Sequence, residues 1–174
     1  GMSLSGVSDF SSYAFSKDET KILLATEVES IFRRSTLGIY YVYDVFSKKT
    51  VRISDKKIQE PTLSPDGSKV AYVLNNNLYI FDLKSQITEQ ITTDGEKNKI
   101  INGVTDWVYE EEFSIVRTYE WSPDGAKIAF LRFDESQVPE FSMEIYDHTL
   151  YPQEDTFKYP KAGENNSVVT LHLV

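Results

Sequence analysis

Leu63-Ser64-Pro65-Asp66-Gly67-Ser68-Lys69-Val70-Ala71-Tyr72 returns almost unchanged as Trp121-Ser122-Pro123-Asp124-Gly125-Ala126-Lys127-Ile128-Ala129-Phe130. The two serines, Ser64 and Ser122, stand 58 positions apart. A worn copy, Phe15-Ser16-Lys17-Asp18-Glu19-Thr20-Lys21-Ile22-Leu23, lies 48 positions before Ser64. Each copy is a turn, a polar residue and an apolar strand. Pro presets φ for the turn, Asp supplies a side-chain hydrogen bond, and Gly takes the φ > 0 position. One such match is only a hairpin turn; a recurring one is a structural unit.

A second element travels with the first. Tyr43-Asp44, Ser47 and Ile53 recur as Phe81-Asp82, Ser85 and Ile91, each 38 positions on. Ile145-Tyr146-Asp147 is a candidate third copy. Asn75-Asn76-Asn77 separates two apolar runs and reads as a hairpin loop. The unit is therefore four antiparallel strands, A to D, at a period of about 50 residues, which describes a propeller blade. The expected fold is all-β: about three four-stranded antiparallel blades of a β-propeller. The units run roughly over residues 9–54, 58–93 and 117–174, with an insert over 94–116. Propellers close with about 4–8 blades, so the chain reads as part of a larger propeller. Gly1 before Met2 reads as the remnant of a removed tag, so residues 1–5 are set apart. The strand-like alternation of Val168-Val169-Thr170-Leu171-His172-Leu173-Val174 ends without a turn signal.

Composition supports one soluble domain with a real core. The chain has 174 residues, 40% hydrophobic and 26% charged, with eleven Tyr and ten Phe favouring strands. A net charge of −9 argues against nucleic acid or an anionic membrane as partner. The absence of Cys excludes disulfides and thiolate chemistry. No apolar run approaches the ~20 residues of a membrane span, and no signal peptide is visible.

Departures from the repeat mark the places where function is expected. Ser16 to Asp44 takes 28 positions, but Ser64 to Asp82 takes 18. The surplus of about ten falls around residues 27–36. Ile53 to Leu63 takes 10 positions, but Ile91 to Trp121 takes 30. That second surplus contains Asp106-Trp107-Val108-Tyr109-Glu110-Glu111-Glu112-Phe113, three adjacent carboxylates among aromatics. Such a run is costly unless solvated or met by a cation. A helix of one or two turns, or a tight loop, held by Trp107, Tyr109 and Phe113, would let two carboxylates converge on a small cation. A primary ammonium has three donors and suits two carboxylates plus one further acceptor. Each close contact is worth up to about 4 kcal/mol of Coulomb energy before desolvation is subtracted. On spacing alone, an exposed acidic loop is the plainer reading. Calcium would suit the oxygens, but no Asp-x-Asp-x-Asp-Gly loop occurs, so no metal is expected.

No Gly-x-Ser-x-Gly elbow and no Gly-rich phosphate loop are present, and no cofactor is expected. His148 and His172 are isolated and read as structural or surface residues. Trp107 and Trp121 read first as packing. Asn165-Asn166-Ser167 is a formal glycosylation sequon without further support.

Thr105-Asp106-Trp107-Val108-Tyr109-Glu110-Glu111-Glu112-Phe113, followed by Trp121-Ser122-Pro123-Asp124-Gly125 and Tyr159-Pro160-Lys161-Ala162-Gly163, resembles the N-terminal β-propeller of the dipeptidyl peptidase IV family. The resemblance covers about residues 9–174. It implies a parent eight-bladed propeller joined to an α/β-hydrolase domain carrying a Ser-Asp-His triad. It also implies a serine-type hydrolase releasing N-terminal Xaa-Pro or Xaa-Ala dipeptides. By the same resemblance Glu111 and Glu112 grip the substrate α-ammonium, with Glu110, Tyr109, Trp107 and Asp106 in support. The triad is absent from this chain, so the isolated piece is expected to be inactive, its partners being peptide N-termini and the missing hydrolase domain. An arm within about residues 135–159 would serve a homodimer. The location implied is periplasmic, secreted or membrane-anchored outside the cytoplasm. The family's substrate-contacting Arg finds no clear match near residues 54–59, where Arg52, Lys56 and Lys57 are only stand-ins. The competing reading is a non-catalytic propeller that binds proteins or carbohydrates.

Overall fold

The structure is a computed structural model, and it describes residue 7, residues 9–146 and residues 148–174. Strands β1 (Ser12–Phe15), β2 (Lys21–Ser30), β3 (Thr36–Asp44) and β4 (Thr50–Arg52) form one antiparallel sheet in chain order. Strands β5 (Gln59–Leu63), β6 (Lys69–Leu74), β7 (Asn77–Asp82) and β8 (Thr88–Gln90) form a second of the same design. These are propeller blades, and the local chemistry that folds them is the repeated chemistry. In the second blade Ser64 Oγ donates to Asp66 Oδ1 at 2.6 Å and accepts from Lys69 N at 2.9 Å. Asp66 Oδ1 also accepts from Ser68 N at 3.0 Å. The same three bonds recur around Asp18 and Asp124. Gly67 and Gly125 hold φ of +67° and +69°, and the worn copy puts Glu19 in that place at +58°. Asp44 and Asp82 each accept from the N–H of the Ser three residues on, at 2.7 Å, closing the two C–D turns. Asn75 and Asn76 both have φ > 0, a two-residue hairpin turn that matches strand twist.

The core lies between the blades. Val70 and Tyr72 of β6 face Leu23, Val42 and Ile53 of the first blade and Ile58 of the segment leading into the second. The alternate residues Ala71 and Val73 face Ile101, Tyr119, Ile128 and Phe133. Strand β6 is thus covered on both sides, which is why its sequence is a continuous apolar run and not an alternating one. Each such large side chain contributes roughly 1.5–3 kcal/mol on burial.

The third sheet departs from the expected unit. Its central strand β11 (Ile128–Asp134) pairs along one edge with β14 (Val168–Leu173) and along the other with two short strands in succession. These are β9 (Ile100–Asn102), opposite Arg132 to Asp134, and β10 (Tyr119–Trp121), opposite Phe130 to Ile128. Strand A of this blade is therefore split, and residues 104–117 are looped out of its middle. Strand C is β14, not the stretch at Ile145-Tyr146-Asp147. Ile145 ends β12 (Glu140–Ile145), which pairs with β13 (Gln153–Lys158) in a separate two-stranded arm; Asp147 lies outside the described residues. The arm interrupts the blade between strands B and C, and that insertion displaced the period. His172 lies in β14 and stacks on Phe130 with ring centroids 5.3 Å apart.

Candidate functional site

The looped-out segment is held by a short stem. Gly103 N donates to Leu131 O and Leu131 N to Thr118 O, so the backbone of strand A crosses the gap with Thr118 N on Gly103 O at 2.9 Å. Gly103 has φ +81°, and a Cβ there would lie 3.1 Å from Val73 Cγ2, so this crossing suits glycine alone. Above it, Thr105 N donates to Val116 O at 3.0 Å and Thr105 Oγ1 to Ile115 O at 2.9 Å.

The stem carries the helix α1 (Trp107–Phe113). Asp106 caps it: Oδ1 accepts from Tyr109 N at 2.9 Å, and Oδ2 accepts from Ser167 Oγ at 2.5 Å. Ser114 closes the other end with φ +57°. Trp107 packs on Tyr159 with centroids 4.5 Å apart, and Tyr109 meets Phe133 edge-on at 5.0 Å. Two stretches quoted far apart in the sequence, the acidic motif and Tyr159-Pro160-Lys161-Ala162-Gly163, therefore share one wall. Ser167 of the formal sequon also serves the helix cap.

The three glutamates have three different fates. Glu110 is 1% exposed, and its Oε1 accepts from the backbone N–H of Arg34 at 2.6 Å and of Ser35 at 2.9 Å. Arg34 Nη1 returns a bond to Glu110 O at 3.3 Å. Glu111 is half-buried and pairs with Arg33 Nη2 at 3.0 Å. Glu112 is exposed and makes no hydrogen bond or ion pair among the described residues. So the run is tolerable because one carboxylate is sealed by backbone donors, one is met by a guanidinium and one is solvated.

Sequence reasoning did not anticipate the source of that guanidinium. Arg52 is turned onto its own loop, donating to Ser54 O at 3.0 Å, and Lys57 pairs with Glu29 at 2.5 Å. Arg33 and Arg34 come instead from the loop between β2 and β3, inside the ten-residue surplus of the first unit. That surplus was visible in the repeat offsets, and its Arg33-Arg34 pair was the signal. Near the stem, burial raises the Glu60 carboxyl, opposed by the Arg117 guanidinium and reinforced by Glu110. Arg117 in turn pairs with Glu120 at 2.6 Å. Among the described residues no group of His, Cys, Asp and Glu could hold a metal.

The family model for the dipeptidyl peptidase IV N-terminal region matches residues 16–174. The chain belongs to that family. Prolyl endopeptidase FAP of Homo sapiens is 36% identical over 167 residues, covering 94% of this chain and 22% of that protein. A probable dipeptidyl-aminopeptidase B of Chaetomium globosum is 38% identical over 172 residues, covering 90% of this chain and 18% of that protein. Among solved structures, Porphyromonas gingivalis dipeptidyl peptidase 4 matches with a TM-score of 0.92 and 46% identity, over 97% of this chain and 24% of that one. The chain thus spans about a fifth to a quarter of the length of these dipeptidyl peptidase IV relatives. The expected family, the all-β propeller architecture and the short helical insert all hold.

Proposed function

We propose that this chain is the substrate-recognition portion of a serine dipeptidyl peptidase and that Glu111 and Glu112 bind the α-ammonium of a peptide. The observation that carries the reading is the Glu111–Arg33 pair at 3.0 Å beside an exposed Glu112, on a helix whose third carboxylate is locked away. Two carboxylates and one guanidinium leave one negative charge, which one ammonium neutralises. Arg33 remains largely exposed, with donors free for the carbonyl that follows the ammonium in a peptide. The helix is fixed at both ends and along its buried face, so the pair is preorganised for ligand. Gripping the N-terminus at a fixed distance from a nucleophile on another domain would set the cut two residues in.

The test uses the complete enzyme with Glu111→Ala or Glu112→Gln. Loss of a charge partner in the transition-state complex should lower kcat/KM for a free dipeptide substrate by about 100-fold or more. Near-normal kinetics in both variants would remove the assignment. On the same reading the enzyme works outside the cytoplasm, as the family resemblance implies. It also gives the β12–β13 arm, with Met143, Ile145 and Tyr146 exposed, to a contact between two copies.

A further inference from the structure

A cavity of about 550 Å³ lies on the other side of α1, lined by Glu110 but by neither Glu111 nor Glu112. Three buried carboxylates border it. Asp106 is satisfied by Tyr109 N and Ser167 Oγ, and Glu110 by two backbone N–H groups. Glu135 is not satisfied. It is 5% exposed, its backbone is pinned by Lys99 O and Val138 N, and no hydrogen bond reaches its carboxylate among the described residues. The charged groups nearest it are Asp106, Asp134 and Lys158. Lys158 is committed elsewhere, donating to Val138 O at 2.9 Å with Glu140 at 3.4 Å. Burial, reinforced by the Asp106 charge, pushes the Glu135 carboxyl up to about 7. A nearly buried carboxylate with no protein donor asks for a reason.

The rest of the wall says what would fit. Phe32, Trp107 and Phe157 line it together with apolar residues, and its five carboxylates outnumber the three ammonium groups of Lys57, Lys97 and Lys158. Aromatic faces attract cations, and the volume suits a small organic molecule. We propose that this cavity is a second ligand site, taking an organic cation whose ammonium pairs with Glu135 and whose apolar body lies among Phe32, Trp107 and Phe157. The ammonium supplies a direct ion pair, whereas Lys158 acts on Glu135 only through space, its own bonds going to Val138 O and Glu140. The cavity is lined by neither Glu111 nor Glu112, so its ammonium contact is distinct from the one assigned to that pair.

The test titrates the complete protein by calorimetry in a Glu111→Ala background, which removes the other candidate ammonium site. The probes are 2-phenylethylammonium and its neutral counterpart 2-phenylethanol. The amine should bind saturably and at least about tenfold more tightly than the alcohol. Adding Glu135→Gln should bring the amine down to the level of the alcohol, and Val116→Trp, which fills the cavity, should abolish both. A second readout covers folding. In the wild type, ionisation of Glu135 favours the unfolded state above its ordinary pKa near 4.3. Glu135→Gln should therefore raise Tm at pH 8, with the gain gone by pH 4. No saturable amine binding, equal amine affinity in the Gln variant, or a lower Tm for it at pH 8 would each overturn the proposal.

Discussion

Glu110 and Arg34 are 76 positions apart in the chain, yet Glu110 Oε1 sits 2.6 Å from the Arg34 backbone N–H. The bond ties the helix of the third blade to a loop of the first, across the second. It also means that the loop holding Arg33 cannot move without the helix holding Glu111. The glutamate sealed by backbone donors therefore sets the geometry of the one beside it.

Glu110→Ala should cost about 2–3 kcal/mol, because it leaves the buried N–H groups of Arg34 and Ser35 without an acceptor. Glu110→Gln keeps an oxygen there and should cost less, roughly 1 kcal/mol. Denaturant unfolding followed by tryptophan fluorescence would compare the two. Equal stability in wild type and Ala variant would show that the tie carries no energy.

Tyr119 is wholly buried, and its hydroxyl donates to Ala71 O at 2.8 Å, next to Thr62 Oγ1 and Glu60 O. It joins the second and third blades by a side chain. Tyr119→Phe should lower stability by about 1–2 kcal/mol and leave the secondary structure unchanged. Circular dichroism with thermal melting reads both quantities.

Glu19 occupies the left-handed position that glycine holds in the other two turns. That conformation costs a non-glycine residue about 1–2 kcal/mol, while glycine costs about 0.5–1 kcal/mol in chain entropy. Glu19→Gly should therefore stabilise by roughly 0.5–1 kcal/mol. A fall in the unfolding midpoint would contradict the strain argument.

Asp66 is held down to about 2, first by the Ser64 hydroxyl and then by Ser68; Asp18 and Asp124 are lowered by their own turn serines. A carboxyl depressed on folding stabilises above its unfolded pKa and loses that contribution as pH falls through the folded value. For Asp66 the loss should run from about pH 4 down to about 2. Ser64→Ala should raise the Asp66 titration midpoint, read by carbonyl-detected NMR. An unmoved midpoint would mean that the hydroxyl is not the cause.

Much of the fold was legible because its signals are local. Ser64, Asp66, Gly67 and Lys69 make their bonds within six residues, so the turn repeats wherever its letters repeat. Asn75-Asn76 and the Asp44 and Asp82 turns are legible for the same reason. The third blade was read less well, since two excursions break its period. One splits strand A at Gly103, and the other inserts the arm before β14. An offset shows that residues have been added, but not at which point of a strand the chain leaves and returns.

The site divides along the same line. The acidic motif, its aromatic anchors and its capping aspartate stand in one stretch of sequence, and short-range hydrogen bonding suffices to make a helix of them. Which glutamate turns inward, which meets Arg33 and which stays in water depends on contacts between blades. So does the unpaired carboxylate of Glu135, set opposite aromatic residues from both the first blade and the arm. Sequence alone determined the repeated blade, because hydrogen bonds between near neighbours need no distant partner. Only the packed structure decided the charges of the site, because desolvation and ion pairing depend on what the rest of the chain brings alongside.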